Sequence, residues 1–282
     1  MRILLYNIRQ LLSEKIIFPY CEQIVKRFLR KRRFHEFMLR KEGQKWIDFL
    51  RESSNPFEKF CIIPDYIGDD AKKRFSHIYQ ENAWGSSESR SGPGSSMKET
   101  EQVRLLLPPL LKKYGIKTLI DVPCGDWNWM KMIDLSGAGV ERYIGGDIVP
   151  EIVVANEKAF GNTRREFSVI DLKETPLPRG DLLLCRECLV HLPYDIINTF
   201  LRNLHQSEIR YLLTTTYTNQ MSNSNIKVGD WRPLNLELPP FCFPKPLAIL
   251  VENSAKNAKG TDIGKSLGLW QVVSLPKSLS QK

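Results

Sequence analysis

The sequence predicts an α/β protein built on a doubly wound, mostly parallel seven-stranded sheet with an antiparallel edge strand and a basic helical extension before it. Three observations predict this. Short apolar runs begin at residue 117 and alternate with helical stretches. Strand, crossover helix and strand in repetition give a parallel sheet covered on both faces. The last two apolar runs, 248–251 and 270–273, have no clear helix between them, so they read as a closing antiparallel pair.

Residues 1–83 read as the extension and 84–282 as the sheet domain. From Cys21 to Leu50, apolar residues recur at helical spacing (Ile24, Phe28, Phe34, Phe37, Met38, Trp46, Phe49) between faces rich in Lys and Arg. Residues 53–68, with Pro56, Pro64 and Gly68, form a connector, and Ala71 to Ala83 a short helix. Trp84 to Ser96 is a Gly/Ser-rich loop in which Trp84 and Arg90 suit a lid or binding loop better than a spacer. Thr100 to Tyr114 carries Val103, Leu106, Leu107, Leu110 and Leu111 at helical spacing. Strands follow at 118–122, 142–144, 167–170, 182–185, 211–215, 248–251 and 270–273. Helices are expected around 129–135, 151–160 and 194–205.

The net charge of +9 is unevenly spread. Residues 1–50 hold 12 Lys/Arg against 5 Asp/Glu, so the remaining 232 residues carry only about +2. This argues against nucleic acid as the partner of the sheet domain, whose cleft would itself be basic. The cationic helices of residues 21–50 read first as a solvated face. The alternatives are docking on an anionic membrane surface or on a protein partner. The early apolar run Ile3 to Leu12 is broken by Asn7, Arg9 and Gln10, so neither a leader nor a membrane span is expected, and the location is read as cytoplasmic. Six irregularly spaced cysteines suit a reducing compartment. Cys185-Arg-Glu-Cys188 has no partner pair for zinc, so it reads as buried thiols at a strand end, and no metal is expected.

In a doubly wound sheet a ligand sits outside the carboxyl ends of the strands. The first strand ends in Asp121-Val-Pro-Cys-Gly-Asp-Trp127, where Cys124 and Gly125 allow a ligand close to the backbone. The second ends in Gly145-Gly-Asp147, 22 residues beyond Gly125. That is near the ~20-residue offset at which an acidic residue accepts from ribose hydroxyls. The third ends in Ile170-Asp171-Leu172, which sets Asp171 to accept from an adenine amino group with Leu172 against the ring. Each acid alone could be a helix cap, but three at successive strand ends form a pattern.

This order of elements, with the DVPCGDWNW loop and the GGD strand end, resembles the class I S-adenosylmethionine-dependent methyltransferases, of Rossmann-like fold, over residues 84–276. The runs Asp181 to Leu192 and Tyr211 to Tyr217 resemble an uncharacterised bacterial subgroup of that class. The resemblance implies S-adenosylmethionine as cofactor. It implies that Asp121, Pro123, Cys124, Gly125, Asp126 and Trp127 cradle the amino-acid part, that Asp147 and Ile148 hold the ribose side, and that Asp171 and Leu172 hold the adenine, with Arg186 also in contact. The family's acidic-x-Gly-x-Gly-x-Gly loop is altered here. Pro123 and Trp127 replace its first and third glycines, and Trp127 is expected to narrow the pocket. A nicotinamide dehydrogenase fits less well, because it needs glycines where Asp126 and Trp127 stand.

A hydroxyl acceptor benefits from a general base. The fourth-strand end supplies His191 and Glu187 as catalytic candidates, and His191 has an ordinary pKa suited to that role at neutral pH. Its alternative is a structural histidine before the next helix. Arg90, Tyr217, Asn219, Trp231 and Arg232 are candidate substrate contacts, with Asn235 in the same insertion. Their mixture of aromatic faces and polar groups suits a small-molecule or glycan hydroxyl. The Asn/Asp-Pro-Pro-aromatic signature of methyltransferases acting on nucleic-acid amino groups is absent after the fourth strand, where CRECLVHL stands. Two other readings keep the fold. One is a cofactor-binding regulatory module without turnover. The other is an RNA methyltransferase recruited by the basic helices.

Overall fold

The structure is a computed structural model, and it describes residues 70–252 and 263–280. The basic helices expected at 21–50 and the connector at 53–68 lie outside the described residues. Helix α1 (Ala71–Gln80) is capped by Asp70, whose side chain accepts from the Lys73 amide. Helix α2 (Glu101–Lys113) leads into β1 (Thr118–Asp121) and β2 (Arg142–Asp147). Helix α3 (Pro150–Phe160), β3 (Arg165–Val169) and β4 (Leu182–Cys185) follow. Helix α4 (Tyr194–Gln206), β5 (Tyr211–Tyr217), β6 (Ala248–Val251) and β7 (Lys265–Gln271) complete the described elements.

The seven strands form one sheet in the order β3-β2-β1-β4-β5-β7-β6. The pairs among β1 to β5 are parallel, while β7 runs antiparallel to both β5 and β6. The antiparallel strand therefore lies one place in from the edge, and β6 forms the edge itself. Strand ends shift by one to three residues at β1, β2, β3 and β5, and two departures are larger. Strand β7 starts at Lys265 rather than at 270, because pairing on both sides outweighs the poor strand propensity of Lys265, Ser266 and Gly268. The stretch 129–135 is only a short 3₁₀ turn, Met130–Met132, so no α-helix joins β1 to β2.

Alternation along the strands builds two cores, one on each face. Ile120, Val122, Leu183 and Cys185 face one side, where Ile196, Ile197, Phe200, Leu201 and Leu204 of α4 cover them. Leu119, Leu182 and Leu184 face the other, against Val103, Leu107, Leu110 and Leu111 of α2. Both faces of β4 are thus buried, which is why its sequence is an unbroken Leu-Leu-Leu-Cys.

Residues 67–282 group as one compact unit. Helix α1, which precedes the expected boundary at 83/84, packs Ala71 and Phe75 on the first core. Its Arg74 donates to the Val228 carbonyl at 3.0 Å and its Gln80 to Glu151 of α3 at 2.8 Å. Among the described residues, no helix is long and apolar enough to cross a membrane. Described cysteines are all unbridged, with Cys124 and Cys185 buried.

Candidate cofactor and acceptor site

The chain runs from β1 outward through β2 to β3, then returns to β4 on the other side of β1. This reversal opens a crevice at the carboxyl ends of β1 and β4. A pocket lies there, with about 1050 Å³ of empty space including the part open to solvent. Among its lining residues are Asp121, Pro123, Cys124 and Gly125 at the end of β1, Asp147 and Ile148 at the end of β2, and Asp171 and Leu172 after β3. Arg186, Glu187 and His191 after β4, with Arg90 of the Gly/Ser loop, line it too.

The strand-end acids are held firmly. Asp121 is 3% exposed and accepts from the Tyr143 hydroxyl at 2.7 Å. Asp147 is 5% exposed and accepts from the amides of Gly125 at 3.1 Å and Val149 at 3.0 Å. Burial dominates both, pushing Asp121 up to about 7 and Asp147 to about 6 against their hydrogen bonds. Two desolvated carboxylates favour a ligand that brings positive charge or hydroxyl donors. Asp171 turns one oxygen to the Lys173 amide at 2.8 Å. The loop itself turns at Gly125, whose φ of +54° suits glycine, and Asn156 fixes it by donating to the Gly125 carbonyl at 2.7 Å.

The β4 end carries a charged network. Arg186 donates two bonds to Glu252, at 3.2 and 2.6 Å, and one to the Gly94 carbonyl at 2.9 Å, with its guanidinium over Trp129. Lys265 bridges Glu187 at 3.3 Å and Glu252 at 3.6 Å. Glu187 sits at φ +51°, and its amide donates to Thr215 at 2.8 Å. Burial would raise its carboxyl, but Lys265 and Arg186 outweigh that and hold it below the usual range. His191 has Nδ1 3.0 Å from the Asp230 carbonyl, and its ring stands 5.4 Å from that of Trp84. The carbonyl fixes the proton on Nδ1, so Nε2 keeps the lone pair. Burial lowers its pKa, partly offset by Glu187, so the ring is neutral at pH 7.

Six expected contacts lie elsewhere. Trp127 does not narrow the pocket: it is 2% exposed and packs on Tyr143, Phe160 and Phe167 in the second core, under Arg165. A large aromatic gains more there than at a solvent-facing ligand edge. Asp126 is turned to the Gly/Ser loop, where it accepts from Ser89, Ser91 and the Arg90 amide. Arg232 is buried and donates to the carbonyls of Leu189 at 2.7 Å, Leu192 at 2.6 Å and Ser224 at 3.1 Å. It therefore braces the turn before α4 instead of meeting a substrate. Asn219 donates its amide to Ile263, and Trp231 lies half exposed with its edge against Tyr217. Tyr217 is buried and reaches the site only through its hydroxyl, which donates to Glu187 at 3.4 Å.

Sequence reasoning missed Phe75 and Tyr79 of α1, and also Ser91, Ser95 and Trp129, all of which line the pocket. Ala71, Phe75 and Tyr79 recur every four residues, a stripe that lies on one face of α1 and lines the pocket. Glu252 and Lys265 had no local signal, because distant strands bring them to Arg186.

No protein-family model and no curated protein matches the chain. Solved structures align with it at TM-scores below 0.5. Human N-acetylserotonin methyltransferase aligns with TM-score 0.47 and 13% identity, over 83% of this chain and 69% of its own. An O-methyltransferase family 2 protein from Planctomyces limnophilus gives 0.46 and 16%, over 79% and 68%. The N-methyltransferase NodS from Bradyrhizobium japonicum gives 0.44 and 11%, over 63% and 98%. The strand order, with β7 reversed between β5 and β6, makes this a Rossmann-like doubly wound sheet.

Proposed function

We propose that the protein is an S-adenosylmethionine-dependent methyltransferase acting on a hydroxyl of a small molecule. One observation carries the reading: three strand-end acids, Asp121, Asp147 and Asp171, converge on one pocket at the switch point of the sheet. The donor chemistry fits. Asp121 answers an ammonium and the nearby sulfonium charge, Asp147 answers ribose hydroxyls, and Ile148, Ile152, Ile170 and Leu172 offer an apolar bed for adenine.

The bound cofactor would supply an electrophilic methyl group whose leaving atom is a neutral thioether sulfur. The protein's own part is positioning and proton removal. His191 Nε2 takes the acceptor's hydroxyl proton. The Glu187 carboxylate, held ionised by Lys265, steadies the resulting imidazolium. Phe75, Tyr79 and Trp84 give the pocket an aromatic wall suited to a small ring-bearing acceptor. The glycan alternative rested on the insertion after β5, whose Asn219, Trp231 and Arg232 do not line this pocket.

Titration calorimetry with S-adenosylmethionine, followed by a screen of phenols, alcohols and sugars for S-adenosylhomocysteine release, tests the reading. Absence of binding at millimolar cofactor sinks it. Binding with no turnover on any acceptor favours a regulatory module instead.

A further inference from the structure

The Gly/Ser loop and the turn after β1 are laced together at one residue. The Asp126 carboxylate accepts from Ser89 Oγ at 2.9 Å, Ser91 Oγ at 3.2 Å and the Arg90 amide at 2.9 Å. In return the Asp126 amide donates to Ser91 Oγ at 2.8 Å. The approach is close, since a Cβ on Gly125 would stand 2.3 Å from Ser91 Oγ. The far end of the loop is fixed independently. Arg186 donates to the Gly94 carbonyl, and Asn128 to the Ser95 carbonyl at 3.2 Å. Between these anchors Ser91 and Ser95 line the pocket beside Asp121 and Arg186.

We propose that residues 85–96 are a clasp over the amino-acid end of the cofactor and that Asp126 is its latch. The proposal rests on the cofactor reading above. The amino-acid end is a zwitterion, and this corner has matching groups. Asp121 is a buried carboxyl at the end of β1 that an ammonium would ionise, and Arg186, paired with Glu252, is a buried guanidinium beyond the end of the neighbouring β4. Ser91 Oγ spends its proton on Asp126 and one lone pair on the Asp126 amide, which leaves one lone pair to accept from an ammonium. A loop rich in glycine and serine would otherwise lose much backbone freedom when a ligand ordered it. The bonds to Asp126 meet that cost before the ligand arrives. Asp126 is thus a positioning residue: its side chain holds the roof.

The test compares two probes on the full chain. S-adenosylhomocysteine carries the amino-acid end, and 5′-methylthioadenosine lacks it. For Asp126→Ala, stopped-flow tryptophan fluorescence should show S-adenosylhomocysteine leaving about tenfold faster or more, with its association rate changed far less. Binding of 5′-methylthioadenosine should be unchanged, which also shows that the variant is folded. Asp126→Asn keeps one acceptor oxygen and should fall between. Unchanged release of S-adenosylhomocysteine overturns the clasp while the cofactor reading stands. Equal weakening of both probes makes Asp126 a general structural residue and also overturns it. Failure of the wild-type protein to bind either probe removes the cofactor reading itself.

Discussion

At the scale of single residues, the two carboxylates raised by burial set the expected pH behaviour. Asp121 at about 7 and Asp147 at about 6 lie above their unfolded values. In the ligand-free protein their contribution to stability is therefore full below the ordinary carboxylate range and is lost as pH rises through about 7. A cationic ligand reverses the balance, because it favours the ionised carboxylates. Affinity for S-adenosylmethionine should rise from pH 5 to 8, and binding near pH 6.5 should release protons. Calorimetry in two buffers of different ionisation enthalpy reads this directly, and identical enthalpies would count against it. His191→Ala should lower turnover by roughly a hundredfold to ten-thousandfold, the usual worth of a general base, while cofactor binding persists. Equal loss of both would make His191 a binding or structural residue. The three acids were legible in the sequence because each ends a strand whose apolar run fixes its position. The roles of Asp126 and Trp127 were not, since neighbouring positions in a turn can face opposite sides.

At the scale of elements, the insertion after β5 behaves as a brace. Arg232 stitches the turn 189–192 to the insertion through three backbone carbonyls, and its guanidinium lies over Tyr194 at the start of α4. Arg232→Ala leaves the Leu192 carbonyl without that donor, at about 1–3 kcal/mol before relaxation, while the Leu189 carbonyl keeps the Leu192 amide. The expected result is a clear fall in melting temperature, with S-adenosylhomocysteine affinity retained at a temperature where the variant is folded. Weakened affinity without loss of stability would restore Arg232 as a ligand contact. The elements themselves were mostly legible. The long helices α2 and α4 and the strands β4 and β6 follow from apolar periodicity alone. The start of β7 was hidden, because Lys265 and Ser266 become strand residues only through pairing with Tyr217 and Thr216 of β5 and with Val251 of β6.

At the scale of the molecule, α1 belongs with the sheet unit that its side chains help to wall. It reaches from Val228 to Glu151 beside the pocket. A fragment of residues 67–282 should bind S-adenosylhomocysteine about as tightly as the full chain. A fragment of 84–282 loses Phe75 and Tyr79 from the pocket and should bind at least about tenfold more weakly, roughly 1.4 kcal/mol. Equal affinities would confine Phe75 and Tyr79 to the acceptor side of the pocket. The sequence by itself determined the class of sheet and the acids at its strand ends, because alternation and strand-end spacing are local properties of the chain. Tertiary structure alone decided which polar residues serve the site. Arg186, Glu252 and Lys265 meet across distant strands, and Asp126 turns to a loop 35 residues before it in the chain. Such contacts form only after the sheet has chosen its strand order, and no local pattern in the chain encodes them.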